Sequence, residues 1–484
     1  MNLPIPYPCV PDLLLRLVRT LGFSEEGRAL SPALFVVLSI FSWPVALILR
    51  FTRSPLIRLL TSSTVGILTM VGVYGPETAL LFVLFVFPFY FLVRMQFMGP
   101  WLTTVTVIAL LSAVHYDSIL TNTSMDRMSY TGTLMMIAAK ISMFGFHIDD
   151  GVKLSSGTRL SIHPHINEQR TATAILPDQV SFFKFMCYMF EFMGGVVGPL
   201  FTYSEYMDYV HNRRDFEGLP SASLVTPSFK SVLRAFATVG TYIYISKIEW
   251  LRGETLVSSW YLGLPFFHKV LISLIIVVPC RLAFYAVWTL SEVSCTISGL
   301  AFQPPHRFTR GRNVNIREFE LGTHFSQKTN NWNIRIADLW LKACIYQRVE
   351  AVPGPLKPFI SSRKALANLI TKMTSAFWHG WYTGYMISFL SLGLCNWSED
   401  ALRRKVYPLL PTGLVHSRIF TIVAWLHTWS SINFFFTPFF LLTWEKTNTY
   451  FNSIFWFMHL YHFAILVVTS LMKTPTAIKH EKQS

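Results

Sequence analysis

Long apolar runs succeed one another along this chain, separated by polar stretches. A helix needs about 20 residues to cross the hydrocarbon core of a bilayer. The runs that approach this length are Ala33 to Phe51, Pro55 to Tyr74, Thr78 to Val93, Trp101 to His115, Thr131 to Phe146, Phe182 to Phe201, Ser231 to Ile245, Pro265 to Phe302, Thr374 to Leu394, Ser417 to Trp444 and Tyr450 to Met472. The run from Pro265 is too long for one straight span and reads as two helices or as one with a cytosolic extension. The pattern predicts an all-α, multi-pass transmembrane protein of roughly eleven spans. Pro44 and Pro88 fall inside apolar runs and predict kinks. Near the start, Leu13, Leu14, Leu17, Val18 and Leu21 share a face from which Arg16 and Arg19 are excluded. A helix of that kind suits the membrane interface, or an ordinary packed terminus.

Three polar stretches interrupt the apolar body: His147 to Asp178, Ser204 to Lys230 and Gln303 to Asn331. Each exceeds the usual connection of about 4–6 residues, and long loops are often functional. Composition supports the membrane reading, with 14% charged residues against about 25% in soluble chains. The formal net charge of +15 would raise nucleic acid for a soluble protein. Here the charge lies between apolar runs, as at Arg50, Arg53 and Arg58, and reads as cytosolic loops facing anionic lipid. From Gln303 to Lys372 twelve basic residues stand against four acidic ones. That excess suits a polyanionic cosubstrate arriving from the cytosol, although topology alone also explains it. The expected organisation is one membrane domain over residues 1–484, with an interfacial segment at 1–30, a basic segment at 303–372 and a polar tail at 473–484. The cysteines Cys9, Cys187, Cys280, Cys295, Cys344 and Cys395 form no CxxC pair and read as buried thiols. His163-Pro164-His165 has no neighbouring carboxylate or thiol, so no metal site is expected.

The chemistry concentrates in two places. His379 sits inside the apolar, aromatic stretch Ser375-Ala376-Phe377-Trp378-His379-Gly380-Trp381-Tyr382. Asn333 lies upstream in Asn330-Asn331-Trp332-Asn333-Ile334, just before a stretch able to form a helix. A neutral imidazole can take a proton from a hydroxyl, and a carboxamide can donate to a developing oxyanion or orient the attacking group. Together they suggest transfer of an acyl group onto an alcohol in or near lipid. A lone histidine in an apolar run is more often structural, and His427, His459 and His462 are comparators. Intramembrane ionisable groups are costly, however, and usually face a cavity. Gly380 and Gly384 leave room for a substrate to approach His379 closely.

These stretches resemble the membrane-bound O-acyltransferase family, and most closely its lysophospholipid acyltransferase branch. The resemblance is carried by Asn331-Trp332-Asn333-Ile334 with Leu339-Trp340-Leu341 and Tyr346, and by Ser375 to Tyr385. It is supported by Gly194-Gly195-Val196-Val197-Gly198-Pro199 with Tyr203 and Tyr206, and by Phe146-His147-Ile148-Asp149-Asp150-Gly151. Thr383 departs from the branch, which usually has proline there. The "F-Y-x-D-W-W-N" segment of the sterol and diacylglycerol branch is not matched by Gln327 to Asn333. The resemblance implies Asn333 and His379 as the catalytic pair, with Trp332, Trp378, Gly380, Gly198, Pro199 and Tyr346 as candidate substrate contacts. It implies interfacial helices around a buried reaction chamber in the endoplasmic reticulum membrane. It also implies acyl-CoA as cosubstrate, a lysophospholipid as acceptor and no bound cofactor. Membrane lipids and, in a homodimer, a second copy are the further expected partners. Another acceptor within the family, or a transporter with His379 in a proton relay, are the alternative readings.

Overall fold

A computed structural model describes residues 30–120, 130–220, 222–305, 307–351 and 363–473. The predicted amphipathic segment at Asp12 to Gly22 and most of the C-terminal tail lie outside the described residues. Helices account for the described architecture, and the pairing of Gln303 with Arg307 is an isolated bridge rather than a strand. The principal helices are α1 (Leu30–Phe51), α2 (Pro55–Tyr74), α3 (Pro76–Arg94), α4 (Pro100–Leu120), α5 (Tyr130–Ser155), α6 (Pro164–Thr173), α7 (Phe182–Met189), α8 (Tyr203–Val210), α9 (Ala222–Ser246) and α10 (Phe266–Ser298). They continue with α11 (Ile316–Leu321), α12 (Phe325–Thr329), the π-helical α13 (Ile336–Tyr346), α14 (Gln347–Ala351), α15 (Arg363–His379), α16 (Thr383–Lys405), α17 (Arg418–Leu441), α18 (Trp444–Ser453) and α19 (Phe457–Leu471).

Six of these are long and apolar enough to cross a membrane: α1 from Pro32, α2, α3, α5, α10 and α17. The pair α18–α19, bent by 75°, adds a seventh if counted as one span. This is fewer than the roughly eleven expected from the runs, and two of the differences have visible local causes. The run Phe182 to Phe201 is helical only to Met189. Beyond it, Glu191 accepts from the Gly194 amide at 2.9 Å and the chain turns through Gly194 to Pro199. Its aromatic residues Phe185, Tyr188, Phe190 and Phe201 are apolar because they are buried in protein. The run Thr374 to Leu394 breaks at Gly380, whose φ of 122° ends α15. The long run from Pro265 is one 33-residue helix, α10, with Pro279 inside it.

By internal contacts the chain forms two compact units. The first comprises the described residues up to Gly240, with Phe284–Val314 and Asn333–Trp381. Its core holds the fully buried Phe82, Phe144, Phe146, Phe185, Tyr206 and Trp340. Buried cations are held inside it, Lys140 and Arg58 among them. Lys140 pairs with Glu191 at 3.0 Å and also donates to the Tyr188 carbonyl at 2.9 Å. Arg58, expected in a cytosolic loop facing anionic lipid, is instead 2% exposed. It donates to the carbonyls of Thr52 and Tyr209 and to the Asn212 side chain. Such charges persist in an interior only when paired and fully hydrogen-bonded.

The second unit comprises Thr241–Ala283, Asn315–Trp332 and the described residues from Tyr382 onward. Within it Arg281 on α10 pairs with Glu320 on α11 at 3.0 Å. The buried Glu399 on α16 accepts from the Phe325 amide at the start of α12 at 2.8 Å. The histidines His459 and His462 on α19 bond to Ser391 and Ser398 on α16. These comparator histidines are thus tied into helix packing.

Candidate active site

Asn333 is a hinge in the backbone. Its φ of 48° is left-handed, a conformation that asparagine tolerates better than most residues. Its carbonyl accepts from the Ala337 amide at 3.0 Å and so opens α13. The neighbouring residues anchor it. The Ile334 amide donates to the Asn313 carbonyl at 2.8 Å, and the Asn313 amide donates to Glu292 on α10 at 2.8 Å. Arg335 reaches in the other direction, to the Leu200 carbonyl at 2.8 Å and to Glu205 at 2.5 Å.

Glu205 is a junction. With Thr202 it forms a reciprocal capping box at the start of α8, each backbone amide bonded to the other's side chain. It also faces Arg335 and Arg310. Burial alone would raise its carboxyl; Arg335 and Arg310 outweigh that and hold it below the ordinary glutamate value. The Gly194–Pro199 segment is thereby brought beside the Asn333 segment. At Gly198 the φ is 89°, and a Cβ there would lie 2.6 Å from the side-chain Nδ2 of the buried Asn313, so both conformation and space favour glycine. A cis peptide links Gly198 to Pro199.

His379 is the last residue of α15, and Gly380 begins the break. Trp378 is nearly fully buried; its indole donates to the Met135 carbonyl on α5 at 2.8 Å, and its ring centroid is 4.8 Å from that of His379. Helices α13 and α15 pack together, with Trp340 and Trp378 centroids 5.5 Å apart. The helix that begins beside Asn333 therefore runs along the helix that ends at His379. Trp340 is fixed in turn by a 2.8 Å bond to Ser142 on α5.

The Phe146–Gly151 motif has a defined place. Asp150 accepts from Arg348 on α14 at 2.9 and 2.7 Å, and from Arg170 on α6 through two nitrogens. Gly151 lies directly against the Ile175 backbone, where a Cβ would be 2.0 Å from the carbonyl oxygen. Asp150 thus ties α5 and α6 to the segment that follows Asn333 and α13. Of the remaining candidates, Tyr346 ends α13 and is half-buried. Trp332 belongs to the second unit, packed on Phe319 and Phe436.

Several residues at this site carry no sequence signal of their own. His115, on α4, lies against the Trp378–Gly380 turn. Asn313, 1% exposed, backs both Ile334 and Gly198. Arg170, Arg310, Arg335 and Arg348 look in sequence like ordinary loop charges. An open pocket of about 650 Å³ lies elsewhere in the first unit, between Tyr90, Arg94, Phe182 and Lys184.

Comparison with known proteins places these features in a lineage. The sequence profile of the membrane-bound O-acyltransferase family matches residues 67–441. The human membrane-bound glycerophospholipid O-acyltransferase 1 is 24% identical over 368 residues, covering 72% of this chain and 69% of its own. The mouse protein of the same name is 23% identical over 95% of this chain and 93% of its own. A lysophospholipid acyltransferase of Schizosaccharomyces pombe is 25% identical over 92% of this chain and 86% of its own. With the profile spanning most of the helical body and every motif described above, the chain belongs to the membrane-bound O-acyltransferase family.

Proposed function

We propose that this enzyme moves a fatty acyl chain from acyl-CoA to the free glycerol hydroxyl of a lysophospholipid, with His379 and Asn333 as the reacting pair. The observation that carries the reading is that both residues sit at backbone breaks on two helices packed together, α13 and α15. Relatives named as glycerophospholipid and lysophospholipid acyltransferases support the substrate class. The hydroxyl oxygen attacks the thioester carbon while His379 takes its proton, a role worth about 10²–10⁴ in rate. Negative charge builds on the carbonyl oxygen, where the Asn333 amide donates; one such donor is worth about 10²–10³. The carbon–sulfur bond then breaks, and the proton passes from the imidazolium to the departing CoA thiolate. No acyl-enzyme is needed. Cys344, the thiol nearest in sequence to Asn333, is buried and donates to the Leu339 carbonyl at 3.3 Å.

Acyl-CoA, too polar to cross lipid, enters from the cytosolic side along the basic 303–372 segment, and the lysolipid arrives laterally from the endoplasmic reticulum bilayer. The two routes meet in a water-accessible chamber, as backbone breaks at membrane depth require. The test is acyl-CoA consumption by purified protein with a panel of lysophospholipids in liposomes. His379→Ala should remain monodisperse and lose activity by about 10² or more. Wild-type activity in that variant would remove His379 from the mechanism.

A further inference from the structure

We infer that His115 is a positioning residue for His379, fixing the backbone on both sides of it; the inference rests on the acyl-transfer reading above. His115 is 6% exposed on α4, far from His379 in sequence. Its Nε2 lies 3.3 Å from the carbonyl oxygen of Trp378. A carbonyl only accepts, so the bond requires the proton on Nε2 and leaves Nδ1 with the lone pair in the neutral ring. Carbonyls in the last turn of a helix lack the next turn's amides as partners. His115 supplies a partner to the one immediately before His379.

The same ring seats the residue immediately after it. Gly380 has φ 122°, and a Cβ built there would fall 3.0 Å from His115 Cγ and 3.1 Å from Nδ1. The imidazole thus occupies the space that a side chain at position 380 would need, so the room expected there for substrate is filled on this face by protein. Peptide 378 is further pinned by its indole bond to Met135. Gly380 is held from within α15, its amide bonded to the Ala376 and Phe377 carbonyls at 3.2 and 3.1 Å. The orientation of His379 depends on the backbone of these two neighbours, and His115 bonds to one and packs beside the other. The two imidazoles are also within electrostatic reach of each other. Errors of about 1 Å in the placement of a reacting group can cost about 10²-fold in rate, which gives such a contact its leverage.

The test compares three substitutions at this position with wild type and with His379→Ala, all assayed in liposomes. His115→Leu fills the space without a donor. His115→Gln places an amide nitrogen near the position of Nε2, and His115→Asn places one too short to reach it. Leu and Asn should lower kcat by about tenfold or more, with KM for acyl-CoA and lysolipid within about twofold of wild type. Gln should recover most of the rate. Should Leu fail to fold, the Gln–Asn contrast decides alone. Equal kcat in Gln and Asn, or a fall in kcat matched by a rise in KM and a lower melting temperature without rescue by Gln, overturns the positioning role. If His115→Leu matches wild type while His379→Ala is inactive, this inference fails and the acyl-transfer site stands. If His379→Ala is fully active, the site reading itself is what failed, and the inference goes with it.

Discussion

Replacing Asp150 with asparagine tests how the candidate site is held together. The carboxylate is fully buried and faces two guanidiniums, Arg170 and Arg348, which are 10% and 9% exposed. It accepts four hydrogen bonds from them. One negative charge among two positive ones leaves the cluster at +1, and asparagine would raise it to +2. The new amide would also point N–H donors at guanidinium donors. Removing one partner of a buried ion pair costs about 3–5 kcal/mol, and the doubled residual charge puts Asp150→Asn toward the upper part of that range. At about 2–4 °C per kcal/mol for a chain of a few hundred residues, the midpoint should fall by on the order of 10 °C. Loss of monodispersity on heating in detergent, followed by fluorescence size exclusion, reads this out. Asp149→Asn is the internal control. Its carboxylate is 26% exposed and paired with a half-exposed Lys153 one turn away, an arrangement worth at most about 0.5 kcal/mol. Arg170→Gln should cost less than Asp150→Asn, because Asp150 keeps Arg348. Adding Arg348→Gln to Asp150→Asn should recover part of the loss by restoring the net charge to +1. The reasoning is refuted if the two adjacent substitutions at 149 and 150 lower the midpoint equally.

Three further outcomes are expected. Asn333→Ala should lower kcat by about 10²-fold with little change in melting temperature, and Asn333→Asp should be nearly as poor, since an ionised carboxylate cannot donate; wild-type rates in the Asp variant would eliminate the donor role. Because the Glu205 carboxyl is depressed in the folded protein, it contributes stability above pH 4.5, the ordinary glutamate value, and loses it as pH falls further through the folded value. The gap in melting temperature between wild type and Glu205→Gln should therefore be open at neutral pH and close in acid; a gap that persists in acid contradicts the linkage. Single cysteines at Arg312 and Lys364 in a cysteine-free background should react with an impermeant thiol reagent on sealed microsomes, and labelling only after the lumen is opened would reverse the proposed sidedness.

The sequence made the membrane body and the motif residues legible for different reasons. Helix composition is local, so α1, α2 and α3 could be read to within three residues at each end. The Phe182 to Phe201 run could not, because the same aromatic residues suit lipid and a protein core equally well, and only Gly194, Gly195 and Gly198 hinted at the turn. Asn333 and His379 stood out in the sequence because their motifs are short and specific. Their supports were not. Asp150 meets a partner 198 residues away, and His115 meets the Trp378 carbonyl 263 residues away. No local pattern encodes such pairings, and the arginines that make them have the composition of any basic loop.

The ion pairs inside α5 bear on how the chain is made. This helix is the least apolar of the candidate spans, at a mean hydropathy of 1.2, and 89% of its most apolar 18-residue stretch is buried within the protein. It carries Lys140 and Asp150, each costing about 2.5–3.5 kcal/mol to place at the middle of an isolated helix in lipid. When it leaves the ribosome, neither residue yet has its partner. Glu191 follows 51 residues after Lys140; of the two partners of Asp150, Arg170 follows after 20 residues and Arg348 only after 198. During that interval the helix is poorly matched to lipid and must be sheltered by α1 to α4 or by the insertion machinery. Its integration is thus completed by folding, and synthesis of the segment following Asn333 is also what settles α5 in the membrane.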